Sequence, residues 1–294
     1  MITRSSYRVL TIAVFSLLAG SSRAQPIRSI VEMIDLKCYR IEGDVASLDL
    51  PLVLDHLNPV LRDLGAPPER VMVREPQQLC VPVAKNGRFP DPVIADFIRY
   101  LDLKCYRIDA DPPFLGMPLQ LDHLNPLFIE MGIPPENVQV LDAQQLCVPV
   151  AKNGVMPPPQ VLRFIQFLDL KCYGIQSDIT SLDLPLVLDH LNPVLVQMGA
   201  PEENVIVRDP QQLCVPVAKN GMIPPPDVLP IIQFVDLKKY AIESDVTSLD
   251  IPLRLDHLNP VFRQFQVPPE FVIVREPQQL GVPVAKNSLF PPAP

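Results

Sequence analysis

The residues of this chain whose types can do chemistry are six cysteines, four histidines and a recurrent Lys-Asn-Gly. The cysteines fall as Cys38 and Cys80, Cys105 and Cys147, and Cys172 and Cys214, each pair 42 residues apart. A metal site is a poor reading, because each stretch offers two cysteines and one histidine with no close Cys-x-x-Cys spacing. His56, His123, His190 and His257 each follow an aspartate and precede Leu-Asn-Pro. Adjacent residues on a strand point to opposite faces, so Asp55 and His56 do not make an acid/base pair. The segment reads instead as a strand end that caps a helix through Asn58. The four histidines remain as a surface motif, able to bind a transition metal only if an array lined them up. Lys85-Asn86-Gly87 does not open a helix after a strand, so it is not a phosphate loop, and the recurrent lysines at 37 and 85 read as parts of solvated turns. Gly-x-Ser-x-Gly, His-Glu-x-x-His and the acidic calcium loop are absent. The 6% aromatic share with no tryptophan weakens a sugar-stacking role. No catalytic, cofactor-binding or metal-ligating residue is assigned, and no cofactor is expected.

A repeat positions these residues. Asp-Leu-Lys-Cys-Tyr begins at Asp35, Asp102 and Asp169, and Asp-Leu-Lys-Lys-Tyr begins at Asp236, a constant step of 67 residues. Val-Pro-Val-Ala-Lys-Asn keeps the same register, ending at Asn86, Asn153, Asn220 and Asn287. The organisation expected is an export signal at 1–24 and repeat units at 25–91, 92–158, 159–225 and 226–294. A fixed period of this length predicts beads on a string or a stacked array rather than one interleaved core.

Substitutions among the copies locate the elements. In Leu52-Val53-Leu54 the leucines recur, while the centre becomes Gln120, Val187 and Arg254. Period two with a tolerant centre is a half-buried strand. Val71-Met72-Val73 passes the same test, and Leu36–Ile41 and Leu79–Ala84 are further strands. Asn58-Pro59 predicts an N-capped helix with proline in its first turn, stopped by Gly65. Gln266 replaces that glycine in the last copy and predicts a less clean helix end. Asp91-Pro92 starts a second helix, although Phe164–Leu168 in the matching segment also suits a strand. Asn86-Gly87 and its counterparts are tight turns, and the prolines that follow stiffen the connections. The fold class expected is α+β: four tandem small β-rich units, each with one or two short helices and three of them stapled by a disulfide.

The last unit constrains the cysteine pairing. Lys239 and Gly281 replace both cysteines together, so pairing Cys38 with Cys80, Cys105 with Cys147 and Cys172 with Cys214 leaves no orphan, whereas pairing across units strands Cys38 and Cys214. Closing a loop of this size contributes about 4 kcal/mol in the chain-entropy treatment. The fourth unit lacks that contribution and is expected to be the least stable, leaning on the third.

Arg4 and Arg8, the apolar run Val9–Gly20 and small residues up to Ala24 read as an export signal. The apolar run is too short for the roughly 20 residues of a spanning helix. The chain carries 25 basic and 33 acidic residues for a formal charge of −8; three of the arginines and none of the acids lie in the first 24, so the rest stands at −11. That balance disfavours nucleic acid and acidic lipid as partners.

Lys-Cys-Tyr-x-Ile, Leu-x-Leu-Asp-His-Leu and Leu-Cys-Val-Pro-Val-Ala-Lys-Asn-Gly together resemble a family of uncharacterised exported bacterial tandem domains with a Lys-Cys-Tyr strand before a Leu-Cys-x-Pro-Val-x-Lys-Asn-Gly strand. The resemblance implies small β-rich disulfide domains. The Asn-Pro helix and the cysteine-free fourth unit depart from that pattern. The role expected is a non-enzymatic repeat protein, secreted, extracellular or in the cell envelope or periplasm. It would act in adhesion, matrix building or multivalent binding to an extracellular protein or polymer, without a stable membrane span. The alternative is a secreted enzyme or inhibitor of unrecognised class.

Overall fold

The computed structural model describes residues 25–111 and 114–292. The segment read as an export signal, residues 1–24, lies outside the described residues. Strand dominates, at 52% against 16% helix. The first repeat contains α1 (Gln25–Val31), β1 (Leu36–Gly43), β2 (Leu50–His56), α2 (Pro59–Asp63) and β3 (Glu69–Lys85). The second contains α3 (Pro92–Ile98), β4 (Asp102–Asp111), β5 (Phe114–His123), α4 (Pro126–Glu130) and β6 (Glu136–Lys152). The third contains α5 (Pro159–Ile165), β7 (Leu170–Ser177), β8 (Leu184–His190), α6 (Pro193–Gln197) and β9 (Glu203–Lys219). The fourth contains α7 (Leu229–Ile232), β10 (Leu237–Ser244), β11 (Ile251–His257), α8 (Pro260–Gln264) and β12 (Glu270–Lys286).

These elements form one sheet of 12 strands, not four beads. β1 pairs with β3, β3 with β4, β4 with β6, β6 with β7, β7 with β9, β9 with β10, β10 with β12, and β12 returns to β1, every pair antiparallel. The hydrogen bonding therefore closes into a barrel and leaves no edge in this circuit.

The expectation of separate strands at Val71–Val73 and Leu79–Ala84 is corrected: both belong to β3, a single strand of 17 residues. Its pairing with β4 slips on either side of Pro76, where the strand bends. Beyond the bend both faces of β3 are covered, which explains the unbroken apolar run from Leu79. Cys80 belongs to the barrel interior, whereas Leu79 and Val81 belong to an outer cluster. Before the bend the strand splays outward and pairs with β2, whose Leu50, Leu52 and Leu54 are buried between exposed Pro51 and Val53.

The interleaving comes from the ends of the second strands. Leu54–His56 of β2 pair with Val217–Lys219 of β9, and β8 returns the exchange to β3. β5 and β12, and β11 and β6, are joined in the same way. Opposite repeats thus trade strand ends, and each of the four outer clusters takes residues from all four repeats. A repeat of this size has too little core of its own, and the exchange supplies it. The fourth repeat consequently leans on the first and second as well as the third.

Asn86 and Gly87 both have positive φ, 50° and 69°, as the tight turn expected there requires. The Asn86 amide donates to the Val187 carbonyl, and the Val187 amide donates back to Asn86 Oδ1 at 2.8 Å. Gln266 corrects the expectation of a poorer helix end: at φ 54° it takes the left-handed conformation of Gly65, and α8 matches α2 in length. The segment 159–165 is helical, which settles the ambiguity at Phe164. Apolar faces of α1, α3, α5 and α7 join the interior cluster and close one end of the barrel. Among the described residues no helix is long and apolar enough to cross a membrane.

With every outer core shared four ways, thermal unfolding should be a single cooperative transition. Calorimetric and van't Hoff enthalpies are expected to agree, and resolved transitions for individual repeats would contradict the shared cores.

Candidate functional site

Three kinds of polar assembly stand out, each recurring around the barrel. The histidines read as a surface motif are the first correction. His56, His123 and His257 are each 7% exposed and His190 is half-buried, all inside clusters that join opposite repeats. Tyr39 and Lys37 of the first repeat meet His190 and Glu203 of the third; Tyr39 Oη lies 3.1 Å from His190 Nε2, and both Tyr39 and Lys37 donate to the Glu203 carboxylate. Lys104, Tyr106, His257 and Glu270 repeat the arrangement, as do Lys171, Tyr173, His56 and Glu69, and Lys238, Tyr240, His123 and Glu136. Lys37 is wholly buried, so its assignment to a solvated turn is wrong.

Alternation places these groups. In β1, Leu36 and Cys38 face the barrel interior, which turns Lys37 and Tyr39 outward under the splayed strands of the opposite repeat. Burial raises the Glu203 carboxyl, but the hydrogen bond from His190 and the adjacent Lys37 and Tyr39 outweigh it and hold the group down at about 2. Burial, reinforced by Glu203, pushes the Tyr39 phenol well above its usual range. His123 and His257 are lowered chiefly by burial, so their imidazoles are neutral near pH 7. Each His Nδ1 is buried without a hydrogen-bond partner, which suits the Nε2–H tautomer facing tyrosine and glutamate. Among the described residues no cluster of three or more metal-ligating side chains forms, and the histidines do not line up as an array.

The second assembly joins neighbouring repeats. Lys85, also read as solvated, is 3% exposed and lies 2.5 Å from Asp35, whose other oxygen accepts from Asn125 Nδ2 at 2.8 Å. Asn125 is the N-cap of α4, its Oδ1 accepting from the Leu127 amide. Asn58 does the same for α2, binding the Val60 amide at 3.0 Å and Asp236 at 2.6 Å. Burial raises the Asp236 carboxyl to about 6 against the pull of Lys286. Asn58→Ala should lower stability by roughly 2–3 kcal/mol, combining a lost cap with a stranded buried acceptor. Asn58→Asp keeps the cap but sets two carboxylates together, so urea denaturation should show it at least as unstable.

The third assembly lies on the barrel axis. The structure forms the bonds Cys38–Cys80, Cys105–Cys147 and Cys172–Cys214 inside the barrel. In the fourth repeat Lys239 occupies the equivalent place opposite Gly281. Its ammonium nitrogen donates to Gln145 Oε1 at 3.0 Å and Gln78 Oε1 at 3.3 Å. A belt of glutamines surrounds it, in which Gln78, Gln145, Gln212 and Gln279 bond to Gln278, Gln77, Gln144 and Gln211.

Among the described residues, four related grooves lie open on the outer sheet faces, of about 410, 540, 550 and 670 Å³. Each is floored by a second strand and the outer half of a third strand, flanked by the end of the next repeat's first strand and by an asparagine turn from the opposite repeat. The tolerant positions Val53, Gln120, Val187 and Arg254 lie on these floors. Acidic residues edge each groove, such as Asp109 and Asp111 in one and Glu42 and Asp44 in another. The buried polar groups open into none of them.

Sequence reasoning missed Glu69, Glu136, Glu203 and Glu270. The available signal was a glutamate retained in every copy immediately before a position that varies as Arg70, Asn137, Asn204 and Phe271.

Comparison with protein-family models, curated proteins and solved structures gives no match.

Proposed function

We propose that the chain is a non-enzymatic binding or structural protein of the extracellular space or cell envelope, presenting four related grooves around a rigid barrel. The observation that carries this reading is the grooves' common construction with different floors: valine in two, glutamine in one and arginine beside an exposed Phe271 in the fourth. The ionisable clusters are sealed between repeats and hold the barrel together, while the surface open to a partner is shallow, partly apolar and acid-edged. Such a face suits a neutral or basic segment of an extracellular protein or polymer, and several faces on one body raise avidity without new contacts. The tandem domains that the sequence resembles fit the same reading, as does an export signal ahead of a disulfide-bonded body.

The test is retention of native envelope or extracellular material on immobilised protein. Substituting Val53, Gln120, Val187 and Arg254 by aspartate should abolish retention and leave the melting temperature nearly unchanged, since these side chains face solvent. A single substitution should weaken retention only in part. Undiminished retention by the fourfold variant, or turnover on a hydrolase panel, would overturn the proposal.

A further inference from the structure

One layer of the barrel interior receives one residue from each of the eight circuit strands: six half-cystines, Lys239 and Gly281. The bonds lie within repeats, but the sulfurs also touch between repeats. Cys80 Sγ is 3.7 Å from Cys105 Sγ, and Cys147 Sγ is 3.8 Å from Cys172 Sγ. The order Cys38–Cys80, Cys105–Cys147, Cys172–Cys214 is thus a continuous column with sulfur contact at both junctions. Lys239 Nζ stands 3.9 Å from Cys105 Sγ, with no carboxylate among its bonded partners.

We propose that the six sulfurs act as one thiol–disulfide exchange column, in which an unpaired thiolate at one repeat opens the bond of its neighbour and creates a disulfide between repeats, with Lys239 receiving the charge released at Cys105. When Cys172 is left unpaired, its thiolate attacks Cys147 Sγ. The Cys172–Cys147 bond forms, the Cys147–Cys105 bond breaks, and the electron pair leaves on Cys105 Sγ. Cys105 stays as a thiolate beside the Lys239 ammonium or takes a proton from it. It then attacks Cys80 and releases Cys38. Each step exchanges one thiolate for another, so it needs no oxidant or reductant and conserves the number of thiols. A neighbouring ammonium favours the thiolate, which is the species that reacts. Burial lowers the Lys239 amine to about 7, so the proton can leave or return near neutral pH.

The experiment is Cys214→Ser in the full chain, oxidised, incubated folded in neutral buffer, then trapped in acid and mapped by thiol alkylation and peptide mass spectrometry. The expected result is a Cys147–Cys172 bond with the free thiol at Cys105 or Cys38. A thiol that stays at Cys172 with Cys105–Cys147 intact overturns the proposal. Cys38→Ser supplies the mirror test and should yield Cys80–Cys105, so a folding defect in one variant leaves the other decisive. Lys239→Met in the Cys214→Ser background should slow the appearance of the Cys147–Cys172 bond by about tenfold. An unchanged rate would remove the lysine from the scheme.

Discussion

Glu270→Gln is expected to destabilise the folded chain by about 3–5 kcal/mol, because it leaves the Lys104 ammonium buried without its counter-charge. Lys104 and Glu270 are both essentially inaccessible to solvent, and Tyr106 and His257 direct their polar atoms at the same carboxylate. The double variant Lys104→Met with Glu270→Leu removes both charges and should be much less harmful than the single change, since a buried ion pair often stabilises no more than apolar groups of similar volume. Guanidinium denaturation of the single and double variants makes the comparison. A single variant as stable as the parent would mean that this lysine is neutral or reaches water.

The same clusters set the response to acid. The folded pKa values of Glu203 and Glu270, at about 2, lie below the ordinary 4.5 of an unfolded glutamate. Their contribution is therefore complete above pH 4.5 and is lost as pH falls from there towards 2. Lowered His123 and His257 act in the same direction, losing their contribution as pH falls below the ordinary histidine value of 6.5. These groups make the melting temperature fall on acidification, opposed by Asp236, whose raised carboxyl adds stability as pH falls through about 6, and Glu270→Gln should flatten the fall by removing one of the titrating groups.

Restoring the missing cystine should produce the second large effect. Lys239→Cys with Gly281→Cys closes a loop matching those of the other repeats and should add about 4 kcal/mol by the chain-entropy estimate. Lys239 and Gly281 are direct cross-strand partners, as Cys38 and Cys80 are. A Cβ built on Gly281 meets only ordinary van der Waals neighbours, the nearest at 3.6 Å, so the backbone has room for the side chain. The change also removes a fully buried amine. A melting temperature at or below that of the parent under oxidising conditions would show that the lysine–glutamine contacts outweigh a bridge at this position.

Local structure was legible in the sequence because local rules govern it. The tolerant centre of Leu52-Val53-Leu54 marked a strand, Asn58-Pro59 marked a capped helix, and Asn86-Gly87 marked a turn. The joint loss of two cysteines at 239 and 281 identified the disulfide partners. The interleaving was not legible, because near-identical copies give any third-strand tip an equally good match to the second strand of its own repeat or of another. Lys37 looked solvated for the same reason: its carboxylate partner, Glu203, lies 166 residues away, beyond the reach of periodicity or capping rules. The burial of the histidines depended on those same distant contacts. A repeat that is regular along the chain therefore does not reveal whether its units fold side by side or through one another.

The seam between β1 and β12 has a consequence for the order of assembly. Leu36 and Gly43 are aligned with Gly281 and Val272, so one flank of the earliest strand in the ring waits for the last. Contacts separated by this much chain form slowly, and until they form the growing molecule carries an open strand border able to recruit a foreign chain. Folding competence thus arrives only with β12, Glu270–Lys286, and a chain cut before that strand leaves every earlier repeat without a finished ring.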